Sequence, residues 1–188
     1  MREDILRVMV SEDGVELTEE AIRRRVHELA AQIERDYAGE EVLMVCILRG
    51  SALFFGDLMK YIDLPLVMDF MAASSYGKGT TAGELKIKKD LTEPVAGRHV
   101  VLVEDIVDSG QTLTYLKRLM LERGAKSVKI ASLLDKPSGR RPGFEMDPEY
   151  KGFTVGDEFV VGYGLDYAEK YRNLPFVGVL KPEIYQKH

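Results

Sequence analysis

Residues 100–112 read VVLVEDIVDSGQT, and they carry the fold in miniature. Val100 to Val103, with His99 before them, have the apolar density of a strand buried on both faces of a parallel sheet. Glu104 and Asp105 end that run, two more apolar residues follow, and Asp108-Ser109-Gly110-Gln111-Thr112 makes a small polar turn. From Thr112 to Arg123 the residues Leu113, Leu116 and Leu119/Met120 return on one helical face, and Gly124 supplies the stop. Strand, turn and helix together are the repeating unit of α/β proteins. What needs explaining is why three carboxylates stand where a core strand ends.

The remainder of the chain keeps the same rhythm. Ile5 to Val10 reads as a short strand. Thr18 reads as an N-cap with Glu19 and Glu20 behind it, and Ile22, Val26, Leu29, Ile33 and Tyr37 form the apolar stripe of a helix that Gly39 ends. Val42 to Leu48 is a continuous apolar strand, Gly50-Ser51 opens a helix through Leu53, Phe54, Leu58 and Ile62, and Leu66 to Ala73 is a strand again. SSYGKGTTAG (74–83) is small, polar and rich in glycine, a mobile loop between strands, because Glu84 to Lys89 alternates once more. Ser127 to Leu134 is a further strand, and a loop rich in Pro, Gly and charge covers 135–157. EFVVGYG follows, and FVGVL at 176–180 closes the core. With no internal repeat or linker, residues 1–188 are expected to form one α/β domain, its mostly parallel twisted sheet flanked by helices.

Composition sets limits on function. The chain has 188 residues, 45% hydrophobic and 30% charged, with a formal net charge of −5, which argues against a broad electrostatic grip on nucleic acid. Cys46 is the single cysteine; inside VLMVCIL it reads as a packing residue, and no disulfide framework can form. MREDILRVMV has no long apolar stretch behind a basic flank, and no run approaches the length of a membrane span. The expectation is a soluble cytoplasmic protein with neither nucleic acid nor membrane as partner.

In parallel sheets ligands bind beyond the carboxyl ends of the strands. The turn at Asp108–Thr112 offers successive amides, two hydroxyls and a glycine at a helix N-terminus, which together make a phosphate cradle. Glu104 and Asp105 just before it are acceptors suited to a pair of ribose hydroxyls, so the stretch fits a ribose 5-phosphate. The plainer alternative is that these acids cap the helix and face water. Nucleotide folds of other kinds fit less well: no GxxxxGK[ST] occurs, GKGTTAG misses the GxGxxG spacing, and Gly162-x-Gly164 lacks its third glycine. His27, His99 and His188 assemble no Ser-His-Asp or Cys-His arrangement and no zinc cluster.

VEDIVDSGQT resembles the phosphoribosyl-diphosphate (PRPP) motif of the type I phosphoribosyltransferases, and its Glu-Asp pair is most similar to that of the hypoxanthine(-guanine) branch. Further matches run from Leu48 to Arg172. The resemblance implies that Leu48, Arg49 and Gly50 hold diphosphate through backbone amides, around a peptide bond that is often cis, and that Arg172 reaches the diphosphate as well. Glu104, Asp105, Asp108, Ser109, Gly110, Gln111 and Thr112 would hold the ribose phosphate. Ser75 and Tyr76 match a flexible lid. Lys136 would donate to the 6-oxo group of a purine stacked on Phe159, with the Val160 backbone reading its edge and Asp166 near its 2-position. An ammonium can only donate, which accepts an oxopurine and penalises adenine. Mg²⁺ is the implied cofactor, with Glu104, Asp105 and Asp166 as its carboxylates. Asp108 is the expected general base, and PRPP and a 6-oxopurine are the expected substrates. A small hood over the sheet and a homodimer or homotetramer are implied too. Two alternatives stay open: a PRPP- or nucleotide-sensing, RNA-binding regulator on the same fold, and a xanthine/guanine-preferring sister enzyme.

Overall fold

The computed structural model describes residues 1–75 and 85–186, Ser75 by its backbone alone. The first strand is Ile5–Val8 (β1); after it come Val42–Ile47 (β2), Leu66–Ser75 (β3), Leu85–Lys89 (β4), His99–Val107 (β5) and Ser127–Asp135 (β6). Tyr150–Thr154 (β7), Val160–Val161 (β8) and Gly178–Leu180 (β9) complete the strands. The helices are Glu19–Asp36 (α1), Ala52–Lys60 (α2), Gln111–Glu122 (α3) and the short Pro182–Tyr185 (α4).

β2 organises the main sheet because it is the most apolar strand: all six residues of VLMVCI are buried. It pairs in parallel with β3 on one side and β5 on the other, and the full order is β4-β3-β2-β5-β6-β7, antiparallel only at β4. Side chains alternate across a strand, so β2 feeds two cores. Val42, Met44 and Cys46 pack with Ile22 and Val26 of α1 and Phe54 of α2, whereas Leu43, Val45 and Ile47 pack with Leu113, Leu116 and Met120 of α3. Each large side chain fully buried in this way stabilises the fold by roughly 1.5–3 kcal/mol. Thr18 caps α1 as its sequence position predicts, accepting a bond of 3.2 Å from Ala21 N. Among the described residues no helix is long and apolar enough to cross a membrane.

The strand order reverses at β2. The chain steps outward from β2 to β3 and β4, then returns to place β5 on β2's other side. Chain connections leave this switch point in opposite directions and open a crevice beyond the carboxyl ends of β2 and β5, where ligands bind in sheets of this type.

Two expectations are corrected. β5 does not end at Val103; its ladder with β6 continues through Glu104↔Ser132, Ile106↔Leu134 and Val107↔Asp135. Glu104 and Asp105 therefore belong to the strand, and the long apolar partner SLLD lets it run on past them. Secondly, the 135–157 loop contains β7, parallel to β6, whose Tyr150 and Phe153 are buried; its short YKGFT pattern is hidden between charged and glycine-rich flanks. FVGVL closes the core as expected, and does so from outside the main sheet. β9 lies between β1 and β8 in a separate three-stranded antiparallel sheet, the expected hood. Val177 and Val179 still join the main core, while Leu180 packs with Val161, Tyr171 and Leu174 in a small core of the hood. The segment thus seals two layers at once.

Candidate active site

A cavity of about 230 Å³ opens at the switch point. Ile47 and Leu48 line it from the end of β2, Glu104 to Val107 from β5, and Asp108, Ser109, Gly110, Thr112 and Leu113 from the turn and the start of α3. Gly110 is the N-cap of α3 at φ +78, and the first closing bond is Thr114 N to Gly110 O at 3.0 Å. Gln111 N donates to Ser109 Oγ at 3.4 Å. The amides of Ser109, Gly110, Thr112 and Leu113 donate to no protein acceptor among the described residues. Unsatisfied amides at a helix start are an anion site in waiting.

The acid pair has an uncomfortable setting. Glu104 Oε1 accepts from Asp105 N at 3.0 Å and Asp105 Oδ1 from Ile106 N at 2.7 Å, so each carboxylate turns back on the next amide. Burial first, and then the adjacent Asp105 charge, hold the Glu104 carboxyl well above the ordinary glutamate range. A cation beside the pair would relieve that penalty, which is the fit expected of a carboxylate pair meeting Mg²⁺ with a phosphate substrate. Asp166 does not stand with them: its Oδ1 lies 3.0 Å from Arg172 NH2. Among the described residues no group of three His, Cys, Asp or Glu side chains could enclose a metal.

Close approach of bare backbone shapes the Leu48–Gly50 loop, where the resemblance expects diphosphate. The Leu48–Arg49 peptide is cis. A Cβ on Gly50 would overlap Asp105 Oδ2 and lie 3.6 Å from Arg172 NH1, so the β2 loop, the acid pair and Arg172 converge on one glycine. Gly164, at φ +100, in turn leaves no room for a side chain against Gly50 O. Arg172 NH1 donates to Gly164 O at 2.6 Å, which ties the hood to the same loop. Arg49 is exposed and pairs with Glu169. Beneath the loop, Ser51 Oγ donates to Ile47 O, and burial pushes the Cys46 thiol up, consistent with a packing role.

Purine-side residues stand around β6 and β8 and do not line the cavity. Lys136 N donates to Val107 O at 2.9 Å, while its Nζ donates to Asp157 O at 3.3 Å, two residues before Phe159. Phe159 is partly exposed, stacked on Tyr185 at 4.7 Å between centroids and edge-on to Tyr167. Val160 pairs with Val179 in the hood. Of the expected lid, Ser75 ends β3 and Tyr76 lies outside the described residues.

Two residues of the site escape a reading of the sequence. Arg140 pairs with buried Asp135 and donates to Val107 O at 2.7 Å, Asp108 O at 2.8 Å and Met146 O at 2.9 Å. Gly139 lies so near Asp108 Oδ1 that a Cβ would overlap it. Both belong to SGRRPG, which looks like any charged turn; only the buried Asp135 at the end of a strand signals that a cation must return to it.

Residues 15–168 match the phosphoribosyl transferase domain family, and the chain belongs to that family. Within it, the chain is 52% identical to the hypoxanthine-guanine phosphoribosyltransferase of Streptococcus pneumoniae over 98% of both chains. The crystal structure of a hypoxanthine phosphoribosyltransferase from Staphylococcus aureus superposes with a TM-score of 0.90 at 45% identity, covering 98% of this chain and 96% of that one. The chain is also 53% identical along its whole length to the bifunctional protein TilS/HprT of Listeria innocua, of which it spans 28%.

Two outcomes follow from this geometry. Glu104→Gln removes the strained charge, so the free protein should melt higher than wild type at about pH 8. The sign follows from a carboxyl whose folded pKa is raised: its charge costs stability once pH exceeds the unfolded value, and the difference should vanish near pH 4. Thermal melts across pH, repeated with PRPP and Mg²⁺ to see the order reverse, check this. Gly139→Ala should displace Asp108 and lower kcat by about 10²-fold, the cost of a misplacement near 1 Å; steady-state kinetics with unchanged circular dichroism is the readout.

Proposed function

We propose that the chain transfers the 5-phosphoribosyl group of PRPP to N9 of a 6-oxopurine, hypoxanthine and also guanine, giving the nucleotide and diphosphate. The observation that carries this reading is the convergence of Leu48, Glu104, Asp105 and the Asp108–Thr112 turn on one cavity at the switch point. Near-complete coverage by hypoxanthine-guanine phosphoribosyltransferases supports it. The activity belongs to one domain acting in the cytoplasm, as a homodimer or homotetramer.

The free amides of the turn and the α3 N-terminus take the 5-phosphate. Glu104 and Asp105 accept from the ribose hydroxyls. Amides of the Leu48–Gly50 loop, with Arg172, receive the leaving diphosphate. Glu104 and Asp105 are the residues that would hold Mg²⁺, which when bound would supply positive charge against the diphosphate, with Asp166 assigned near the base. Breaking the bond at C1 develops oxocarbenium character, so Glu104 and Asp105 are placed to favour positive charge in the sugar. Asp108 takes the N7 proton as N9 attacks. Its exposed carboxylate lies against Gly139 and its backbone is gripped by Arg140, which fixes its direction. Lys136 donates to the 6-oxo group, Phe159 stacks on the ring and the Val160 backbone meets its edge. The role of Ser75 and Tyr76 in this reading is to keep water from the activated ribose.

Initial rates with PRPP, Mg²⁺ and each of hypoxanthine, guanine, xanthine and adenine test the assignment. Turnover with hypoxanthine and guanine is expected; turnover with adenine alone would overturn it. Asp108→Asn should lower kcat by about 10²–10⁴-fold with PRPP affinity retained. Unchanged turnover in that variant removes Asp108 from the role.

A further inference from the structure

Glu169 has no part in the scheme above, yet it holds both arginines on the diphosphate side. Arg49 NH2 donates to its Oε1 at 2.5 Å, across 120 residues of sequence. Arg172 NH2 stands 3.8 Å from its Oε2 and 3.0 Å from Asp166 Oδ1. The backbone that presents Glu169 is under strain. Ala168, Glu169 and Tyr171 all take left-handed φ values, of 50, 64 and 77, where residues with a Cβ are uncommon. This conformation is fixed from several directions. Glu169 N donates to Asp166 Oδ2 at 2.9 Å, Tyr167 and Lys170 exchange two backbone bonds, and buried Tyr171 donates through its hydroxyl to Asp4 Oδ2 at 3.1 Å. A strained segment held this firmly marks a position where the side chain's direction matters.

We propose that Glu169 is a built-in counter-anion, occupying in the free enzyme the cationic arms that a diphosphate takes, and displaced when PRPP or diphosphate arrives. The proposal rests on the reading of Arg49 and Arg172 as the diphosphate side of the site. Exchange needs little desolvation, because the Arg49 and Glu169 side chains are 66% and 61% exposed. A diphosphate carries more charge than one carboxylate and outcompetes it; a monoanion does not. Glu169 thus weakens PRPP and diphosphate binding together, which hastens departure of the product and keeps small anions off the arginines.

Calorimetric titration of diphosphate with Mg²⁺ tests this in wild type, Glu169→Gln, Glu169→Asn and Arg172→Ala. Asparagine tolerates left-handed φ, so the second variant preserves the backbone should the first disturb it. Both Glu169 variants should bind diphosphate about 3–10-fold more tightly, the scale of releasing two exposed ion pairs. IMP affinity should not change, and the gain should shrink at about 1 M salt. In an Arg49→Ala background the Glu169 effect should fall. Unchanged or weaker diphosphate binding in both Glu169 variants, with Arg172→Ala weakened, overturns the counter-anion alone. If Arg172→Ala leaves diphosphate affinity intact, the diphosphate assignment itself is wrong and the counter-anion goes with it.

Discussion

A buried carboxylate needs a cation, and in this protein that need arranges the active site. Asp135 ends β6 at 1% exposure, and it is met by Arg140 and by Lys151 Nζ at 3.0 Å. An uncompensated charge there would cost several kcal/mol. Arg140 does more than neutralise it. A guanidinium has five donors in a planar fork, and those not used on Asp135 reach the carbonyls of Val107, Asp108, Lys136 and Met146. One ion pair therefore fixes the end of β5, the backbone of Asp108 and the start of the loop at Lys136 with respect to one another. Lysine, with a single point charge, could satisfy Asp135 but could not span those carbonyls.

Glycine does the complementary work of letting the fixed parts approach. At Gly50, Gly139 and Gly164 an added Cβ would overlap Asp105, Asp108 and the Gly50 carbonyl respectively. None of these is a demand of local conformation alone. Gly50 and Gly139 have no positive φ, so their requirement comes from distant chain, and sequence cannot reveal it. The hood reaches the Leu48–Gly50 loop by this route: the bare backbone of Gly164 lies against Gly50, and Arg172 comes close to the same glycine. Packing without side chains leaves the site stiff, since neither backbone can retreat without moving a strand.

What was legible in the sequence follows the range of the forces involved. β2, α1 and α3 could be read because apolar periodicity is local and strong, and the phosphate turn because its amides, hydroxyls and glycine are contiguous. β5 was cut short because two carboxylates look like an exit to solvent; only the ladder to β6 shows that backbone pairing outlasts apolar side chains there. β7 and the hood strands are two to five residues long, and their status depends on partners far away in sequence. Arg140 and Glu169 were invisible for the same reason. Each acts on residues whose proximity only the fold creates.

The two halves of the site carry charge in different ways, one crowded with carboxylate and the other with its cations already paired. Glu104 and Asp105 form no ion pair among the described residues, and burial together with the adjacent Asp105 charge pushes the Glu104 carboxyl toward its neutral form. Around Arg49 and Arg172 there is positive charge satisfied by Asp166 and by a carboxylate on a strained loop. Neither arrangement is what stability alone would select, because a neutral strand end and a relaxed loop would both fold better. On the proposed reading, a ligand carrying a divalent cation at one end and a multiply charged leaving group at the other answers both halves together. Its binding energy is then greatest when sugar, cation and leaving group are all present and correctly spaced. A phosphate alone, or a nucleotide lacking the diphosphate, corrects less. On the proposed reading, selectivity for the complete substrate arises from a carboxylate pair that lacks an ion-pair partner among the described residues and from arginines held by an exchangeable one.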